Sequence, residues 1–112
     1  MVKQGDIIKL NFDPQSGHEQ AGYRPAVVIS NDFFNIKTNL TIVCPITNTK
    51  KPFPLNVPLD NRTKTTGVVL CEHIRSVDLS ARDYKIVERI PADLLDKIIS
   101  VVFAEIEKKT PK

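Results

Sequence analysis

The chain has 112 residues, 41% of them hydrophobic, with a formal net charge of +3. That length suits one domain, 1–112, and that apolar content excludes a disordered chain. A domain this small leaves apolar surface under-buried, which makes oligomerisation a natural supplement. No stretch approaches the roughly eighteen apolar residues of a membrane span. The opening MVKQGD lacks the apolar region of a signal peptide, so a cytoplasmic location is expected. The mild positive charge permits a polyanionic partner without demanding one.

Ile8, Leu10 and Phe12 alternate with Lys9 and Asn11, the period of a half-buried strand, with turn chemistry at Gly5-Asp6 and Asp13-Pro14. A second strand over 24–30 is apolar at consecutive positions, as expected when both faces are covered. Asn31-Asp32 ends it, and Phe33-Phe34-Asn35 reads as a short helical turn. A third strand over 40–46 contains Pro45, which implies a bulge or an edge position because proline cannot donate to a ladder. After a polar, basic loop at 47–51, the segment 53–59 is broken by Pro54 and Pro58 and reads as a short edge strand. A second polar loop covers 60–66. The run 67–77 reads as the longest strand, and 84–90 as a last one. From Pro91 the period changes: Leu94, Leu95, Ile98, Val101, Val102 and Ile106 recur at three and four, giving a helix with one broad apolar face. Asp93 and Asp96 near its start and Lys108-Lys109 near its end suit the helix dipole. The last residues, 110–112, are expected to fray. Short strands, tight turns and one C-terminal helix predict a mainly β fold, a small curled antiparallel barrel.

Cys44 and Cys71 lie inside apolar strand patterns. A disulfide between them is geometrically possible, but two buried thiols is the better reading for a reducing compartment. With no C-x-x-C pair and no closely spaced histidines, no metal site and no cofactor are expected.

The stretch 13–30, DPQSGHEQAGYRPAVVIS, carries most of the chemistry. A loop bearing a hydroxyl, an imidazole, a carboxylate and an amide (Ser16, His18, Glu19, Gln20) has Gly17 and Gly22 as hinges. It leads into Arg24, held beside Pro25 where the apolar run begins. A fixed planar cation next to a closing loop suits a phosphate-centred reaction. From residue types alone, Arg24 fits equally a surface ion pair with Glu19 or Asp13. Thr47, at the end of the third strand, can bond a phosphate oxygen or satisfy a turn. Glu19 can accept a proton or be merely solvated, and His18 has the chemistry of a general base.

Together with the preceding GDIIKLNFDP, the run LTIVCPIT (40–47), the segment GVVLCEHIRSVD (67–78) and the closing helix, this stretch resembles the MazF/PemK family of bacterial toxin endoribonucleases. The resemblance spans residues 3–107. It implies a barrel of the Src-homology-three type, shared with the CcdB gyrase poisons. It also implies the toxin of a type II toxin–antitoxin pair: a homodimer that cleaves single-stranded mRNA sequence-selectively, without metal, through attack of the 2′-hydroxyl, in a groove spanning both subunits. A cognate antitoxin with an acidic disordered tail would occupy that groove. The resemblance makes Arg24 and Thr47 the catalytic pair and gives Glu19 a role in catalysis or substrate contact. His18 is a weaker candidate, since family members vary there.

Candidate RNA contacts are Ser16 and His18, Gln20 for a base edge, Tyr23 for a base face, and Lys50 and Lys51 with Phe53 as a cationic loop and aromatic platform. Glu72, His73 and Arg75 are further candidate RNA contacts, in a segment that looks like the family's E-Q-I-R-[ST] strand, with His73 in place of a commonly found glutamine. His73 either reads a base or is satisfied at a dimer interface. Two other readings stand beside this one. A CcdB-like gyrase poison would need an aromatic-rich C-terminus, whereas this chain lacks tryptophan and ends in EIEKKTPK. A non-catalytic RNA-binding barrel is opposed by the joint presence of Arg24, Thr47 and Glu19.

Overall fold

The computed structural model describes residues 1–12, 22–49 and 53–109. Its strands are β1 (Asp6–Asn11), β2 (Tyr23–Val28), β3 (Thr41–Thr47), β4 (Asn56–Pro58), β5 (Val68–Leu70), β6 (Arg75–Val77) and β7 (Tyr84–Arg89). Two helices accompany them, α1 (Asp32–Thr38) and α2 (Ala92–Ile106). The strands form one antiparallel sheet in the order β4-β5-β3-β2-β1-β7, with β6 also on β3. The sheet curls, and β4 and β7 remain as its edges, so the expected barrel is curled rather than closed. Neither helix is long and apolar enough to cross a membrane.

The consecutive apolar run of β2 is explained by two packed layers. Val27 joins Ile7, Cys44, Ile46 and Ile98 on the α2 side of the sheet. Ala26 and Val28 join Ile8, Leu10, Phe12 and Val43 inside the curl. Truncating the wholly buried Ile98 to alanine would cost about 2–5 kcal/mol, from lost burial plus the cavity left behind.

Several expectations need correction. The segment 67–77 is not one long strand. The β3–β5 register (Ile46↔Val69) continued to Val43 would reach Glu72, yet Val43 pairs with Arg75. The three extra residues coil into a 3-10 turn, Cys71–His73. No glycine or proline marks that break, so the apolar pattern reads straight through it. Pro45 is not at an edge either: β3 is an interior strand, and Pro45 falls where its β5 and β6 ladders are interrupted, so its missing N–H costs no ladder bond on that side. The 53–59 strand shrinks to Asn56–Pro58, although at the edge as expected. The short turn after β2 is the seven-residue α1, capped by Asn31, whose side chain accepts from the Phe34 N–H at 2.8 Å. The apolar face of α2 is only partly covered: Leu94 and Ile98 are buried, while Ile99, Phe103 and Ile106 are exposed.

The two cysteines are free and buried. Continuing the β3–β5 register places Cys44 opposite Cys71. The neighbouring Cys71 thiol, and then burial, hold the Cys44 thiol far above its ordinary pKa, which keeps it inert.

Candidate active site

Arg24 sits at the start of β2, paired with Leu10 of β1, and is half-buried. Pro25 follows and fixes the backbone at that point. The β2–β3 ladder pairs Ala26 with Pro45. Two residues further along the same register, Arg24 falls opposite Thr47, on the face of the sheet that lines the curl. It is this extended register, rather than proximity in the chain, that would bring the sequence-predicted catalytic pair together.

Thr47 is 6% exposed. Its Oγ1 accepts the Thr49 N–H at 3.1 Å, which fixes the rotamer and leaves the hydroxyl hydrogen available for donation. A close backbone approach holds the strand end in place. Gly67 has φ +121°, and a Cβ there would collide with the Thr47 carbonyl oxygen and lie 2.8 Å from its carbon. The segment leading to Gly67 is pinned at several points. Arg62 bridges Asp60 and Asp93 at 2.8 Å each. The Glu88 carboxylate accepts from Lys64 N, Thr65 N and the Thr65 hydroxyl. Those three bonds outweigh burial and pull the Glu88 pKa below its usual value. Hydrogen bonds from Arg62 likewise lower Asp60 and Asp93.

Tyr23, opposite Asn11 at this end, is exposed, and so is Phe53 before β4. Arg75, opposite Val43, occupies an inward register position, and its guanidinium carbon lies 5.5 Å from the Phe12 ring centroid. Glu72 and His73 go elsewhere. The 3-10 turn carries them to the α2 flank, where the charge of Glu72, after burial, helps raise the pKa of Glu105 on α2. The His73 Nδ1 and Glu105 Oε2 are buried without hydrogen-bond partners among the described residues. Ser16, His18, Glu19, Gln20, Lys50 and Lys51 lie outside the described residues. Among the described residues no cluster of His, Cys, Asp or Glu could hold a metal. Sequence reasoning missed Gly67 and Phe12. A glycine opening an apolar run was the available signal for the first, while Phe12 reads only as core.

The β2–β3 register, extended past Ala26–Pro45, sets Arg24 and Thr47 at facing positions of neighbouring strands. The profile of PemK-like, MazF-like toxins of type II toxin–antitoxin systems matches residues 3–103. The chain belongs to this family. The endoribonuclease PemK of Escherichia coli is 35% identical over 102 residues, covering 88% of this chain and 77% of that protein. The crystal structure of MazF from Deinococcus radiodurans superposes with a TM-score of 0.89 at 36% identity, covering 96% of this chain and 97% of that one. A MazE–MazF structure from the same organism gives 0.83 at 33% identity, covering 96% and 98%. The match confirms the fold expected of a MazF/PemK toxin, and it extends across the strands that carry Arg24 and Thr47.

Proposed function

We propose that this chain is the toxin of a type II toxin–antitoxin pair, a single-domain cytoplasmic endoribonuclease that cuts single-stranded mRNA sequence-selectively and without metal. The observation that supports the mechanism is the β2–β3 register, which, extended two residues past Ala26–Pro45, sets Arg24 opposite Thr47. In the reaction, the 2′-hydroxyl oxygen bonds to phosphorus as its proton is taken up, with Glu19 as the base. Negative charge builds on the phosphorane oxygens, where the guanidinium of Arg24 and the hydroxyl of Thr47 stabilise it. The P–O5′ bond then breaks. A guanidinium is a poor proton donor at neutral pH, so the leaving oxygen takes its proton from water. The products are a 2′,3′-cyclic phosphate and a 5′-hydroxyl.

Ser16, His18, Gln20, Tyr23, Lys50, Lys51 and Phe53 are proposed as RNA contacts around this pair. A homodimer is supported by the exposed Ile99, Phe103 and Ile106 of α2 and by the partnerless buried atoms of His73 and Glu105 beside them. Because Glu72 and His73 lie on that flank, they reach RNA only where a groove runs across the dimer. The type II family and the MazE–MazF relative support an antitoxin partner that blocks the groove. The test is incubation of the purified protein with single-stranded RNA in EDTA. Fragments ending in a cyclic phosphate and a 5′-hydroxyl support the reading, and a strict need for added metal removes it.

A further inference from the structure

Three other arginines spend donors on the protein itself. Arg62 is held by Asp60 and Asp93, Arg89 by Asp6 and the Gln4 carbonyl, and Arg82 by the Asn11 carbonyl. Arg75 is different. It stands on β6 opposite Val43 and two residues before the buried Val77, in a register that otherwise supplies apolar side chains to the curl. Its Nη1 is buried and has no hydrogen-bond partner, and no carboxylate pairs with it among the described residues. A buried charged donor left without an acceptor is unfavourable, and a folded protein keeps one where an outside group completes it.

Position says what that group is. The guanidinium lies over the ring of Phe12, whose exposure is 0%. Phe12 donates its N–H to the Gly22 carbonyl at 2.8 Å, one step beyond the Leu10–Arg24 and Asn11–Tyr23 pairs. The Arg75 head group is therefore carried from the far strand to the end of the curl where Arg24 emerges. Stacking on Phe12 fixes its plane and leaves the donor edge for an anion.

We propose that Arg75 is a second anion seat of this site, binding a phosphodiester of the RNA next to the one that is cut, with Phe12 as its positioning residue. The proposal rests on the nuclease reading for its ligand. It does not need turnover, because the seat acts on bound RNA whether or not the bond breaks. Arg24 meets the charge that develops at the reacting phosphorus, and Arg75 fixes the register of the strand.

The test is binding of a fully 2′-O-methylated RNA oligonucleotide, which cannot be cleaved, as a function of salt, using the intact protein and Arg75→Gln, Arg75→Lys and Phe12→Leu variants. Each single-strand phosphate contact contributes about 0.7 to the slope of log affinity against log salt. Arg75→Gln is expected to weaken binding about tenfold and to lower that slope by about 0.7. Arg75→Lys should keep the slope with weaker affinity, and Phe12→Leu should weaken binding with the slope unchanged. An unaltered slope in Arg75→Gln overturns the proposal and leaves Arg75 a structural residue. Loss of the native oligomeric state in that variant, read by light scattering, overturns it in favour of a subunit contact. Loss of cleavage in the unsubstituted protein would sink the nuclease reading alone, since the binding measurement stands without turnover.

Discussion

Arg62 and Arg75 show two uses of the same side chain in one small domain. Arg62 spends its donors on two carboxylates of its own protein, at 2.8–3.2 Å, and ties the 60–66 segment to the start of α2. Arg75 lies against an aromatic ring with a buried Nη1 that nothing in the described protein accepts. Both are charged and neither is in the wholly buried core, so exposure does not separate them. The separating feature is whether the charge is already answered. By that measure Arg62 is scaffold, and Arg75 is the seat proposed for an anion.

That contrast can be broken by substitution. Apart from Arg24, the largest expected loss is at Thr47. Thr47→Val keeps the shape but removes the hydroxyl, and kcat for RNA cleavage should fall about 10²-fold with the melting temperature nearly unchanged. Gly67→Ala should be felt at both levels. A Cβ at φ +121° strains the backbone by roughly 1–3 kcal/mol and pushes on the Thr47 carbonyl, so Tm and kcat should drop together while KM changes less. Wild-type turnover in that variant would show that Thr47 does not depend on this contact.

Arg62→Ala sharpens the comparison from the scaffold side. It should lower Tm slightly, because the pair lies at the solvent surface, and leave RNA affinity and its salt slope unchanged. A reduced salt slope would place Arg62 in the RNA groove and erase its difference from Arg75.

The smallest effect concerns Glu105. Its folded pKa is raised above the usual 4.5, first by burial and then by Glu72, so the ionised form is disfavoured and stability rises as pH falls through that folded value. Glu88 acts in the opposite sense: its lowered folded pKa contributes stability above 4.5 that is lost as pH falls through the folded value. Glu105→Gln should therefore raise Tm at neutral pH, with the gain fading as pH falls through the folded value and gone well below pH 4.5. A fall in Tm at neutral pH would mean that the carboxylate is paired in the assembled protein.

Much of this was legible in the sequence because register and period are written in residue types. Alternation gave β1, the doubly apolar run gave the buried β2, and the shift to three-and-four spacing gave α2. Arg24 and Thr47 could be named, but their facing positions could not, since the β2–β3 register depends on α1 and the turn into β3. The break at Cys71–His73 was hidden because cysteine, glutamate and histidine carry no strong turn preference. What coils them is a three-residue mismatch between the ladders on either side, a property of the curled sheet. Arg75 could be named as a candidate RNA contact, but its inward placement could not, because it is set by pairing with Val43, which lies 32 positions earlier in the chain.

The most direct measurement is the cleavage rate of a single-stranded RNA oligonucleotide in EDTA by the unsubstituted protein and by Arg24→Ala, with thermal melts of both. If the guanidinium neutralises charge on the reacting phosphate, kcat should fall at least about 10²-fold while the melt is preserved. Undiminished turnover by a folded Arg24→Ala protein would contradict the account.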